Sequence, residues 1–295
     1  MSIETNIALT RPFSVKHYVM LMKPGIIMGN IVTAAGGFAL ASKGQVNPSL
    51  FFAMLCGLAL VIGSACVFNN YIDRELDRKM VRTRNRPLAK GLVSVQSALI
   101  FGTIVGLLGT LTLALGTNLL TTAIALFGVF AYVALYTLSK YRTHYGTLIG
   151  SIAGAIPPVV GYCAVTGRLD LGALIWFVMI VCWQVPHFFA IAVYRLKDYA
   201  DGGIPTFPIV KGMRATKIHM TLYTAAFVMA ASMLTLCGYT GAFYLTLVLL
   251  LGGGWLVLAF KGFKCSSDHR WARKMFIFSL VIVMALCTAI PFSIA

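Results

Sequence analysis

Eleven consecutive residues, Asn69-Asn70-Tyr71-Ile72-Asp73-Arg74-Glu75-Leu76-Asp77-Arg78-Lys79, carry three of the eight acidic side chains in a chain of 295 residues. On a helix, Asn69, Asp73 and Asp77 recur every four residues and line one face with an amide oxygen and two carboxylates. Oxygen donors in this arrangement suit a hard cation such as Mg²⁺, which keeps several waters and bridges one or two carboxylates to a substrate phosphate. Asn69, Asp73 and Asp77 are therefore candidate catalytic residues, with Asp73 and Asp77 as metal ligands. Around them stand Arg74, Arg78, Lys79, Arg82, Arg84, Arg86 and Lys90, whose guanidinium and ammonium groups make strong charge-assisted hydrogen bonds to phosphate oxygens. The competing reading is a solvated loop between membrane spans whose basic residues only fix topology. The regular spacing of the acids favours the first.

A second mixed cluster, Tyr194 to Pro205, contains Arg195, Lys197, Asp198 and Asp201. Asp198 and Asp201, with Lys197 joining Arg74, Arg78, Lys79 and Arg86, could form a second half-site closing on one diphosphate. An ordinary pair of loop acids before a Gly-Gly turn is the alternative. The most polar stretch at membrane depth is Trp183-Gln184-Val185-Pro186-His187. Pro186 lacks a backbone donor and is expected to interrupt its helix, letting His187 project into a cavity. There it would contact a substrate; otherwise it is a core residue bonded to another helix, with Gln184 one turn earlier as a partner.

The elements that must position these residues follow from composition. The chain is 59% hydrophobic and 11% charged, with mean hydropathy +0.86, whereas a soluble domain is roughly 25% charged. It reads as an all-α, polytopic membrane bundle. Nine apolar runs are long enough to span, at 25–41, 49–68, 94–115, 119–138, 147–165, 171–193, 218–237, 242–260 and 272–292, against the roughly 20 residues a hydrocarbon core requires. This gives a segment 1–23, then one membrane domain 24–295 with polar loops 69–93 and 194–217. No cleavable signal peptide is expected, because the opening residues lack an uninterrupted apolar core.

Of the 24 Lys and Arg residues, all but Lys43 and Arg168 fall on one side of this alternation. That asymmetry places the amino terminus and both polar loops in the cytoplasm. It also explains the net charge of +16 without nucleic acid, since the cations sit between spans rather than on one amphipathic face. The seven cysteines include no CxxC pair and read as small apolar packing residues. No span carries Asp, Glu, Lys or Arg away from its ends, which disfavours an ion-coupled transporter. Gly146, Gly150 and Gly154 form a small-residue series for close helix packing, and Pro157-Pro158 should break their helix.

These residues together resemble the UbiA superfamily of intramembrane prenyltransferases. Its first motif has the form NDxxDxxxD; Asn69, Asp73 and Asp77 match, while Asn70 replaces the Asp. In the second, DxxxD, Asp198 matches and Tyr194 stands at the earlier acidic position; the resemblance implies Asp198 as a further catalytic residue and metal ligand. The segments NNYIDRELDRKMVRTRNRPL, YGTLIGSIAGAIPPVVGY, WQVPHFFAIAVYRLKDY and GIPTFPIVKG resemble the branch of the family that prenylates heme. The resemblance implies Mg²⁺ as cofactor and farnesyl diphosphate and heme B as substrates. It further implies farnesyl transfer to a heme vinyl group with addition of water, giving heme O in a bacterial inner membrane. Heme A synthase or terminal oxidase assembly factors are the partners implied, and His187, Tyr194 and Gln184 become the heme pocket. A quinone- or chlorophyll-type polyprenyltransferase would share the diphosphate site and differ in the acceptor.

Overall fold

The computed structural model describes residues 14–293; Arg11 and the rest of 1–13 lie outside the described residues. A short helix α1 (Val15–Leu21) leads into α2 (Pro24–Ser42), α3 (Pro48–Lys79), α4 (Val95–Gly116) and α5 (Leu119–Phe130), which runs on through a π-helical turn, Ala131–Tyr136, into α6 (Thr137–Ser139). Next come α7 (Gly146–Gly154), α8 (Ile156–Thr166), α9 (Leu171–Tyr194), the short α10 (Leu196–Asp201), α11 (Phe207–Leu236), α12 (Ala242–Lys261) and α13 (Asp268–Ala289). Among the described residues, nine helical spans are long and apolar enough to cross a membrane, and the chain is a multi-pass membrane protein. Large apolar side chains such as Leu107, Leu115, Leu119 and Leu250 face outward, where acyl chains rather than water are their solvent.

The helix boundaries follow local chemistry. Asn47, Ser94, Asn118 and Asp170 cap α3, α4, α5 and α9 by accepting backbone N–H bonds, relieving the orphan donors of each first turn. Pro157 and Pro158 sit in the first turn of α8 and separate it from α7, because a proline is tolerated where no helical N–H is needed. Pro186 behaves otherwise: α9 runs unbroken through it. Neighbouring helices hold the segment on both sides, so its lost hydrogen bond does not open the helix. The seventh span also starts earlier than the hydropathy suggests, at Phe207, with a kink at Gly212 (φ 80, ψ 169).

The two polar loops are more ordered than their composition implies. Residues 69–79 are the last three turns of α3, a helix of 32 residues and therefore about 48 Å long. This exceeds the roughly 30 Å of a hydrocarbon core, so α3 carries its polar stretch out of the apolar layer as helix. Two buried clusters flank the centre of the bundle. One joins Phe38, Met54, Leu58, Leu113 and Val160 of α2, α3, α4 and α8; the other joins Trp176, Phe189, Phe227, Tyr244 and Trp255 of α9, α11 and α12.

Asn70, the departure from the family motif, explains itself here. It is buried, and its Nδ2 donates to the Leu21 carbonyl at 2.8 Å, holding α1 against α3. A carboxylate at this position would set acceptor against acceptor. Asn70→Asp is therefore expected to cost about 1–3 kcal/mol instead of adding a metal ligand. Thermal unfolding of the detergent-purified protein should show the lower midpoint; an unchanged midpoint with tighter Mg²⁺ binding would show that Asn70 turns to the cavity.

Candidate active site

A cavity of about 820 Å³ opens among α2, α3, α5 with its π turn, α7, α9 and α13. Its walls divide by chemistry. One end holds Asn69, Asp73, Asp77, Lys23, Arg82, Arg86, Lys140 and Arg195; the depth is lined by Leu58, Val61, Ala125, Val129, Pro157, Trp183, Gln184, His187 and Val283. Gln184 and His187 lie about 15 and 10 Å along α9 from its end at Tyr194, at 1.5 Å per residue.

The carboxylates are buried, each 4% exposed, and each already has a cation. Lys140 Nζ donates to Asp73 Oδ2 at 2.5 Å, and Tyr141 Oη donates to Asp73 Oδ1. Arg86 Nη1 reaches both Asp77 oxygens, at 2.9 and 2.7 Å. Lys23 Nζ donates to Asn69 Oδ1. On the other side of that amide, Asn69 Nδ2 donates to Thr137 Oγ1 at 2.9 Å. Because Thr137 gives its own proton to the Tyr132 carbonyl at 2.8 Å, it can only accept from Asn69, and Asn69 Oδ1 is turned toward Lys23 and the cavity. The π turn places Thr137 for this, and also stacks Tyr132 on Tyr136 at 5.6 Å between centroids, both facing the cavity.

Glycines fix the positions of several of these groups. A Cβ on Gly146 would meet the Lys140 backbone, one on Gly150 the Tyr136 ring, and one on Gly154 the Gln184 amide. The small-residue series thus packs, as expected, and what it packs against is the cavity wall.

The structure sorts the expected site residues. Asn69, Asp73, Asp77 and Arg86 meet at the polar end, and Gln184, His187 and Tyr194 all line the same cavity. Arg74, Arg78 and Lys79 do not reach it. Arg74 donates to the Tyr71 carbonyl and stacks on the Tyr71 ring; Arg78 bonds the Ala89 carbonyl and Glu75; Lys79 is exposed. The reason is helical geometry, since residues one position beyond Asp73 and Asp77 point about 100° away from the carboxylate stripe. Lys197 is exposed too, and Asp198 meets the site only through Arg195, whose Nη1 lies 3.8 Å from its carboxylate. The polar end also holds Lys23, Arg82, Lys140 and Arg195. No local signal marked Lys23, since a residue before proline is expected to be extended and Lys23 is left-handed. The remaining cations lay among several equivalent ones.

The donor set fits Mg²⁺: two carboxylates one turn apart and an oriented amide oxygen, with water and phosphate left to complete the shell. Among the described residues no cluster of three or more His, Cys, Asp or Glu side chains is grouped for a metal ion. Five cations facing two carboxylates leave the polar end positive, which suits a multiply charged anion.

Lys23 is unusual twice over. It has φ 54, a left-handed conformation that is strained for a residue with a Cβ and is found preferentially at functional sites. Burial, with Arg86 and Lys140 adding to it, lowers its pKa from 10.5 to about 8. Above that pH the ammonium loses its proton and the site loses a cation. Affinity for a multiply charged anion should fall as pH rises through about 8, and Lys23→Arg should flatten the decline because guanidinium does not titrate there. A profile identical in both proteins would remove Lys23 from the site.

The UbiA prenyltransferase family model matches residues 30–281, and the chain belongs to this family of prenyltransferases; it is an enzyme. At the level of individual proteins it is similar to protoheme IX farnesyltransferases. That of Protochlamydia amoebophila is 51% identical over 280 residues, covering 95% of this chain and 99% of the relative. That of Yersinia enterocolitica is 49% identical, covering 92% of each. Among solved structures, a digeranylgeranylglyceryl phosphate synthase superposes with TM-score 0.78 at 18% identity over 94% of this chain and 97% of the other. A UbiA homologue from Archaeoglobus fulgidus bound to GPP and Mg²⁺ superposes with TM-score 0.66 at 16% identity, over 94% and 99%. These last two establish the shared fold.

Proposed function

We propose that the chain transfers the farnesyl group of farnesyl diphosphate to a vinyl group of heme B, with addition of water, releasing heme O and diphosphate. One observation carries this reading: a carboxylate pair ringed by cations at the polar end of a cavity that becomes apolar with depth. The diphosphate belongs among Lys23, Arg82, Arg86, Lys140 and Arg195, with Asp73, Asp77 and Asn69 holding Mg²⁺; the prenyl chain and the porphyrin belong in the apolar part, against His187, Gln184 and Tyr194. The close similarity to protoheme IX farnesyltransferases supports this acceptor over a quinone, and the neighbour bound to GPP and Mg²⁺ supports the donor and the metal.

Asp73 and Asp77 hold Lys140 and Arg86 by pairing when no anion is present. An arriving diphosphate offers those cations a second, more highly charged partner, and they turn to its oxygens by rotation of side chains already in place. Bound metal would add neutralisation of the charge that develops on the leaving group. As the carbon–oxygen bond ionises, the cations stabilise the departing diphosphate, and the apolar wall keeps bulk water from the allylic cation until the vinyl group attacks it. The positive-inside asymmetry supports a cytoplasmic amino terminus and polar end, in a bacterial inner membrane from which the product passes to heme A synthase or an oxidase assembly factor.

Incubating the purified protein with heme B, farnesyl diphosphate and Mg²⁺, followed by mass spectrometry of the pigment, tests the reading. A farnesylated, hydroxylated heme should form and should disappear on chelation of the metal. Prenylation of an aromatic quinone precursor, with heme untouched, would overturn the acceptor assignment. Heme or lipid movement without diphosphate release would overturn the enzymatic one.

A further inference from the structure

Two hydrogen-bonding groups in the deep wall of the cavity have no hydrogen-bond donor that the prenyl donor or the porphyrin ring can supply. Gln184 lines the cavity, is 4% exposed, and its amide makes no hydrogen bond among the described residues, with Oε1 buried and unsatisfied. One turn further along α9 is His187, whose Nδ1 lies 2.7 Å from Ser279 Oγ. The Ser279 hydroxyl gives its one proton to the Phe276 carbonyl at 2.5 Å, so Oγ accepts from His187 and the Nδ1–H tautomer is fixed. His187 Nε2 is consequently an acceptor, and no hydrogen bond reaches it among the described residues. The ring cannot turn away, being stacked on Trp183 at 4.8 Å and packed on Phe276 at 5.0 Å between centroids. Trp183 is itself tied to the Ser279 carbonyl at 2.8 Å.

A buried amide oxygen left unpaired is costly, and it shares one helix face, at i, i+3, with an imidazole nitrogen that faces the cavity without a hydrogen-bond partner. Farnesyl diphosphate and the metallated porphyrin ring carry no donor for them at this depth. Water, the third reactant of the reaction proposed above, does. We infer that Gln184 and His187 hold the water that ends the reaction, with Ser279 as the residue that positions His187. The water donates one O–H to His187 Nε2 and is held by the Gln184 amide, which leaves an oxygen lone pair for the cation formed when the vinyl group has taken up the farnesyl carbon. The new C–O bond forms from that lone pair, and the excess proton passes to His187 Nε2. Without a held water the same cation loses a proton from its neighbouring CH₂ to the released diphosphate, forming a C=C bond and a product one water lighter.

This inference rests on the heme-farnesylating reading, and product identity separates the two. Gln184→Met keeps side-chain length and removes the amide; Ser279→Ala frees the His187 tautomer, and Ser279→Thr restores the hydroxyl. Each is purified and supplied with heme B and farnesyl diphosphate in heavy-oxygen water, and the hydroxylated and dehydrated products are quantified. Gln184→Met and Ser279→Ala should raise the dehydrated share about tenfold, with Ser279→Thr close to wild type. A wild-type product ratio in Gln184→Met, or in Ser279→Ala should Gln184→Met not fold, overturns the water site while leaving farnesylation standing. An axial-nitrogen heme spectrum in the wild type that is lost in His187→Ala places Nε2 on iron and likewise overturns it. No farnesylated porphyrin from the wild type sinks both readings.

Discussion

Asp73→Asn and Asp77→Asn are each expected to lower farnesyl-transfer turnover by roughly 10²–10³-fold, the scale seen when one preorganised group is removed from a developing charge. Both carboxylates are buried at the polar end of the cavity, and in each case the substitution keeps the shape and removes the charge. The two variants should differ in their side effects. Asp73→Asn strands Lys140, which is largely buried beside it and whose pKa burial already lowers, so the ammonium becomes easier to deprotonate. Asp77→Asn leaves Arg86 charged, because guanidinium stays protonated. Insertion should be unaffected, since topology responds mainly to Lys and Arg. Titrating Mg²⁺ against each purified variant tests the assignment. Near-normal kcat at saturating metal and farnesyl diphosphate in either one would show that its carboxylate does not serve the metal.

Arg86→Ala should weaken farnesyl diphosphate binding by roughly 30-fold or more, matching the 2–5 kcal/mol typical for truncating one partner of a buried charge pair. Arg86→Lys should recover only part, since one ammonium cannot reproduce the forked contact that spans both oxygens of Asp77. Arg78→Ala is the control: it stands in the same polar stretch, but its guanidinium is half exposed and spent on Glu75 and the Ala89 carbonyl. Exposed pairs of that kind contribute about 0–1 kcal/mol, so Arg78→Ala should leave diphosphate affinity within a few-fold of wild type. Equal losses in Arg78→Ala and Arg86→Ala, measured by competition with a non-hydrolysable diphosphate, would mean that overall positive charge, not geometry, holds the anion.

Much of this was written in the linear sequence. Unbroken apolar runs have only one way to satisfy their backbone in lipid, so the membrane-spanning helical class and the approximate spans follow from hydropathy alone. The carboxylate stripe was equally legible, because a four-residue repeat on a helix is a local fact needing no partner. Which cations meet that stripe was not local. Arg74 and Arg78 are nearest in sequence but a third of a turn off the face, whereas Lys140 arrives from 67 positions away and Lys23 from 46. Likewise, His187 was recognisable as a polar residue at membrane depth, but its tautomer depends on Ser279, 92 positions away. Periodicity reports the direction in which a side chain leaves its own helix. Only the packing of α2, α3, α5, α9 and α13 about one cavity decides what stands opposite, since a charge finds its partner by distance in space and the chain between them leaves no trace of it.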